Sequence, residues 1–215
     1  MRIFQALGDA FHLLALVILP FEIWKTGSCL GISGKSQILH AIVCTTRYMD
    51  LLFFYISIYN TTMKLIFIFG TYMTVFLIYV TYSHTYDRDH DTFRVQFLVI
   101  PALALALLVN HDHYNIIEIS WAFSVYLEAV AILPHLFLVA KTGEAKRFTS
   151  HYLWALKTYR GFYIANWIYR YYVEWHYDSI QVTAGVVQMI FYCDVFHLSR
   201  IEKGPKLPID SQVKS

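Results

Sequence analysis

Charge is scarce in this sequence. Only 15% of its 215 residues are Asp, Glu, Lys or Arg and 57% are hydrophobic, where a soluble domain carries roughly 25% charged and 45–50% apolar residues. A bilayer, not water, is the solvent this composition implies. The formal net charge of +2 gives no reason to expect a nucleic-acid partner. Cysteine is equally sparse. Cys29, Cys44 and Cys193 are odd in number, lack metal-ligand spacing and lie in or beside apolar segments, so they are read as reduced thiols. Neither a Ser-His-Asp nor a Cys-His arrangement is supported, which argues against an enzyme, and no cofactor is expected. GISGKSQ at 31–37 ends like a phosphate-binding loop, but Cys29 stands where the first glycine belongs, and the stretch joins two apolar segments. It is read as a cytosolic turn. His90-Asp91 and His111-Asp112-His113 lack a second pair of ligands and are read as solvated loop residues. The N-terminus lacks the basic start and cleavage site of a signal peptide, so the first apolar block is expected to remain as a helix.

What is abundant is apolar sequence in blocks of spanning length. Windows near 4–24, 37–58, 62–82, 95–109, 116–140, 151–173 and 179–199 predict an all-α membrane protein of seven transmembrane helices. The fourth is short and contains Pro101. Residues 1–199 would form the membrane domain and 200–215 a cytosolic tail. Lysine and arginine set the orientation, because cytosolic loops carry the excess. Lys25, Lys35, Arg88, Arg94, Lys141, Lys146, Arg147, Arg200, Lys203, Lys206 and Lys214 fall on one side, Arg2 and Lys64 on the other. This puts the N-terminus in the lumen. The sequon at Asn60 falls on the luminal side, in a loop too short to favour glycosylation. Ile18-Leu19-Pro20 with Lys25-Thr26-Gly27 reappears as Ile132-Leu133-Pro134 with Lys141-Thr142-Gly143, an offset of about 114 residues. Two three-helix repeats joined by helix four is the simplest plan that accounts for it.

Ionisable side chains inside a span are costly unless paired or hydrated, so each is a functional candidate. Gln5, Asp9 and His12 share one face of the first helix, and Arg47 and Asp50 stand three apart in the second. Glu118, Trp121 and Glu128 form a stripe on the fifth; Tyr159, Tyr163, Asn166 and Arg170 form one on the sixth, with Arg160 and Trp167 beside it. Such stripes are too polar for lipid and should converge on an interior cavity open to the lumen. Gln5, Glu118, Arg170 and Asp178 are placed near its mouth, and His12, Arg47, Glu128 and Arg160 at mid-membrane. For any single pair, such as Arg47 with Asp50, an internal ion pair is the structural alternative. As a way to hold helices together, so large a desolvated network is costly.

With those residues placed, the chain resembles the KDEL receptor family over nearly its whole length. The resembling stretches are GISGKSQ at 31–37, TTRYMDL at 45–51, HDTFRVQFLVIP at 90–101, LVNHD at 108–112, YLEAVAILPHLFLVAKTGEA at 126–145, YRGFYIANWIYRYY at 159–172 and AGVVQMIFYCD at 184–194. The resemblance implies a fold related to SWEET and PQ-loop transporters and a receptor that binds a C-terminal Lys/His-Asp-Glu-Leu signal in the Golgi and returns luminal proteins to the endoplasmic reticulum. Carried over, the peptide pocket falls on Arg47, Tyr48, Asp50, Glu118, Trp121, Tyr159, Arg160, Tyr163, Asn166, Trp167 and Arg170, with Asp178 near the mouth. His12, Glu128 and Tyr159 are implied as the proton-responsive element. Asp194 matches a family residue needed for retrograde movement, and Lys203, Lys206 and Lys214 are candidates for contact with the retrograde vesicle coat. Two positions depart from the family pattern. Gln5 stands where arginine is common, and His135 stands where glutamine is found. The rival reading is a SWEET-like transporter of a small polar solute, which would need access from both faces; a scaffold would bind no ligand.

Overall fold

A chain crossing hydrocarbon must satisfy its own backbone N–H and C=O groups, and helices do so within each segment. The computed structural model describes residues 3–55, 57–142, 147–175 and 177–201, without the side chains of residues 147–150 and 198–201. Among the described residues there are helices and no strands: α1 (Ile3–Thr26), α2 (Gly34–Arg47), α3 (Ile58–Phe76), α4 (Gln96–Leu108), α5 (Ile116–Val130), α6 (Leu133–Thr142), α7 (Arg147–Glu174) and α8 (Ser179–Ile201). Because α5 and α6 run on as one segment, Ile116–Thr142, they make seven helical units. Four units are long and apolar enough to cross a bilayer by themselves: Ile3–Thr26, Ile58–Thr81, Ile116–Thr142 and Ser179–His197. Large apolar side chains such as Trp24, Phe69, Ile100 and Leu108 face outward, as a lipid-solvated surface requires.

Two helices depart from the expected windows. The second ends at Arg47 and gives way to a 3₁₀ turn, Met49–Leu52, instead of continuing to residue 58. The apolar run Leu52, Phe53, Phe54 and Tyr55 extended that window, but these side chains are 60–79% exposed. Apolar content alone does not separate a helix from an interfacial segment rich in aromatics. The other departure is the break at Ala131-Ile132. Pro134 has no N–H to give Val130, and the His135 N–H turns to Ile132 O (3.0 Å). The Ala131 carbonyl is met instead by the Ser36 hydroxyl at 2.7 Å.

The packing has an internal two-fold pattern. Helix α3 contacts both α1 and α2, and α8 contacts both α5 and α7. Across the middle, α1 packs on α7 and α2 packs on α5. Exchanging α1 with α5, α2 with α7 and α3 with α8 carries one of these interfaces onto the other. This is the geometry of two three-helix repeats, with α4 packed on α5 as the linker.

At the end of the bundle where α2 begins, Asp91 is buried at 1% exposure. It accepts from Ser33 Oγ (3.1 and 3.0 Å), the Lys35 N–H (3.2 Å) and the Tyr86 hydroxyl (2.7 Å), and so caps α2. Burial, reinforced by bonds to Tyr79 and Asp91, pushes the Tyr86 phenol well above its ordinary range. The expectation of a solvated Asp91 is corrected here: a carboxylate answered by four donor contacts tolerates burial that sequence context did not reveal. His135 joins the same region, accepting the Ser33 N–H on Nδ1 at 3.4 Å. Cys29, Cys44 and Cys193 are free thiols.

Candidate binding site

The two repeats meet around a cavity of about 360 Å³ at the end of the bundle where α3, α5 and α8 begin. Every helix except α4 and α6 contributes to its wall. His12 comes from α1, Arg47 from the last turn of α2, and Asp50 from the 3₁₀ turn, with Tyr48 between them. Lys64 comes from α3; Trp121 and Glu128 from α5; Tyr159, Arg160, Tyr163 and Trp167 from α7; and Gln181, Gly185 and Gln188 from α8.

Glu128 organises the floor. Its Oε2 accepts from Arg47 Nη1 at 2.6 Å, and its Oε1 faces Arg160 Nη2 and the Tyr159 hydroxyl, both at 2.8 Å. Arg47 is braced further by Nε to Ser124 Oγ at 3.1 Å. The Tyr159 hydroxyl also accepts from Arg160 (3.1 Å) and from Gln188 Nε2 (3.2 Å), so each of its bonding directions is used. His12 is stacked between Tyr159 (ring centroids 4.4 Å apart) and Phe67 (4.6 Å), which seats the imidazole on the ring whose hydroxyl holds Glu128. The Arg47–Asp50 pair considered as the structural alternative does not form. Arg47 turns to α5, and Asp50 pairs with Lys64 at 2.5 Å.

The charges do not balance. Arg47, Arg160 and Lys64 supply three cations to the wall and Glu128 and Asp50 two carboxylates, an excess of one positive charge. Arg160 Nε–H is buried without an acceptor. A partly desolvated site with surplus cation and an unmet donor suits an anion that can take a charge-assisted bond. Aromatic faces complete the wall: the Arg160 guanidinium lies 5.1 Å from the Tyr159 ring centre and 5.9 Å from that of Trp167. Trp167 lies so close to Gly185 that a β-carbon there would overlap its ring.

Of the residues expected at the site, Arg47, Tyr48, Asp50, Trp121, Tyr159, Arg160, Tyr163, Trp167, His12 and Glu128 meet at this cavity. Arg170 and Asp178 border a separate, smaller recess that shares Trp167 and Gln181 with it. There Arg170 pairs with Glu174 (3.3 Å), while Asp178 accepts the N–H groups of Ile180 and Gln181 and so caps α8. Its carboxylate also stands 3.6 Å from His111, whose ring lies 5.8 Å from Trp121. Glu118 and Asn166 do not line the cavity, and each keeps a buried side-chain oxygen without a donor. Gln5 is exposed on α1, while Asp9 accepts from the Tyr163 hydroxyl. Asp194 lies elsewhere, in a groove with Lys157 and His197. Lys203 and Lys206 fall outside the described residues.

Lys64, Gln181 and Gln188 were not anticipated. Lys64 carries a usable signal, an ionisable residue inside the 62–82 window, although its place near the start of that window also suits a charge outside the membrane. For the two glutamines, neutral residues on a mostly apolar helix, no comparable signal exists.

Known proteins bear on this geometry. A family model described as ER lumen protein retaining receptor matches residues 28–170. The ER lumen protein-retaining receptor 2 of Bos taurus is 57% identical over 211 residues, 97% of this chain and 99% of that protein. The Homo sapiens protein of the same name is 56% identical over the same spans, and the ER lumen protein-retaining receptor of Drosophila melanogaster 53%.

Proposed function

Because the chain belongs to the ER lumen protein-retaining receptor family, we propose that it binds the C-terminal Lys/His-Asp-Glu-Leu signal of luminal proteins and returns them from the Golgi to the endoplasmic reticulum. The observation that carries this reading is the cationic surplus at Arg47 and Arg160, which share a single carboxylate, Glu128. A signal of this kind presents three carboxylates, two on side chains and one at its end. The terminal carboxylate can take the unmet Arg160 donor and the exposed face of Arg47 through charge-assisted bonds. Asp50 then accepts the basic residue that precedes Asp-Glu-Leu, and Glu118 is the second carboxylate assigned to that residue. Trp121, Tyr163 and Trp167 supply apolar contact for the leucine, while Arg170 and Asp178 meet the chain where it enters.

His12, Glu128 and Tyr159 form the proton-responsive element of this reading. Protonating His12 adds a positive charge beside the Glu128 cluster and favours an anionic ligand; losing that proton favours release. In the same reading the cavity faces the lumen, the N-terminus is luminal, and the C-terminal tail is cytosolic. Asp194, Lys203 and Lys206 then serve the return journey, the lysines by contact with the vesicle coat. The transporter alternative is not favoured, since the relatives are named as receptors.

Binding of a labelled peptide ending in Lys-Asp-Glu-Leu to the purified protein, at about pH 5.5 and about pH 7.2, tests the proposal. Tighter binding is expected at the acidic value, because a proton taken up by His12 adds positive charge beside the cluster that receives the ligand's carboxylates, and that charge is absent when the proton is lost. Equal affinity at both values would remove the switch, and no binding at either would remove the receptor reading itself.

A further inference from the structure

Lys64 is the cation at this site that the sequence pattern left out, and its position gives it a specific task. Its ammonium sits 2.5 Å from Asp50 Oδ2, with the two side chains 16% and 24% exposed, and it lies 5.8 Å from the Tyr48 ring centre. The other oxygen of Asp50, Oδ1, is buried and has no donor. The carboxylate is therefore only half used. One oxygen holds an internal lysine while the second waits for a donor, and both residues line the cavity.

We propose that Lys64 is a specificity-determining residue: it competes from within the protein for the carboxylate that receives the ligand's basic side chain, and thereby sets how strongly that side chain is preferred. The proposal rests on the receptor reading given above. In the empty site Lys64 neutralises Asp50, which spares the protein an uncompensated, partly buried carboxylate. An arriving ligand cation has two routes. It can take Oδ1 beside an ammonium already on Oδ2, at the cost of like-charge repulsion across one carboxylate, or it can displace Lys64, which must then find other solvation. Either route diminishes the advantage of a basic residue over a neutral one. Removing the charge of Lys64 leaves Asp50 without a partner, so a ligand that brings its own cation gains relative to one that does not.

The test compares peptides ending in Lys-Asp-Glu-Leu and Ala-Asp-Glu-Leu on the full-length protein, wild type against Lys64→Met, which keeps the aliphatic stem and removes the charge. The affinity ratio of the lysine peptide over the alanine peptide is expected to rise roughly tenfold in Lys64→Met and to stay at the wild-type value in Lys64→Arg. Lys64→Gln gives the same comparison if the methionine variant does not fold. A ratio that is unchanged or lower in both neutral variants overturns the proposal; in particular, an equal loss for both peptides would mean that Lys64 binds the ligand's carboxylates directly. Wild-type protein that binds neither peptide would instead refute the receptor reading on which the proposal rests.

Discussion

Glu128 shows most clearly how one residue governs the site. It is almost fully buried, and its two oxygens are divided between Arg47 on one side and Arg160 with Tyr159 on the other. Removing one member of a buried charge cluster strands the rest, at a typical cost of about 3–5 kcal/mol. Arg160→Ala is therefore expected to destabilise the protein by about that amount and to abolish peptide binding; a melting temperature equal to that of wild type would show that Glu128 does not depend on this contact. Gln5 is the opposite case. It is exposed and stands apart from the cavity wall, so a charge there acts on the approaching ligand and not on the bound one. Gln5→Arg is expected to raise the association rate several-fold at low salt with little effect on dissociation, because steering by outlying charge is a rate effect. Stopped-flow traces with unchanged association would show the departure to be silent.

Among the elements, the junction between α5 and α6 is the most informative. Pro134 breaks the hydrogen-bond ladder, and the broken end is repaired from another repeat by the hydroxyl of Ser36 on α2. A buried carbonyl left without a donor costs about 1–3 kcal/mol, so Ser36→Ala should lower stability by that much, whereas Ser36→Thr should preserve it if the added methyl fits. An alanine variant that unfolds at the wild-type denaturant concentration would mean that the carbonyl finds another donor. The proline was plain in the sequence, and so was the helical hydrophobicity around it. Its remedy was not, because Ser36 and Ala131 lie far apart in the chain. The shortened α2 carries a similar lesson: Leu52, Phe53, Phe54 and Tyr55 had the hydropathy of a span, but only packing decides whether an apolar run continues a helix.

At the scale of the whole molecule, the cavity is a consequence of the internal repeat. The α1–α7 and α2–α5 interfaces are equivalent under the pseudo-two-fold exchange, and the polar residues meet where these two seams converge. His12 on α1 stacks on Tyr159 of α7 and Phe67 of α3, so its ring touches both repeats, and in the proposed switch its protonation would act on both at once. The expected difference in peptide affinity between acidic and neutral pH belongs to this scale. In the proposed switch a proton on α1 would act on a carboxylate that α5 carries and that α2 and α7 hold, and a ligand bound there would bridge both halves of the bundle.

Composition and apolar segment length were enough to point to a seven-helix membrane protein, because a bilayer dictates segment length and forbids unpaired backbone within it, and the recurring Ile-Leu-Pro and Lys-Thr-Gly segments pointed to the internal repeat. They were also enough to single out most of the polar residues at the cavity, since charge inside a span is too costly to be incidental. What only the tertiary structure decided was the pairing: Arg47 with Glu128 instead of Asp50, Asp50 with Lys64, and Asp91 buried instead of solvated. Spacing along a helix says which side chains share a face. Which partner each finds depends on distances between helices, set by how the two repeats pack, and no local pattern records them.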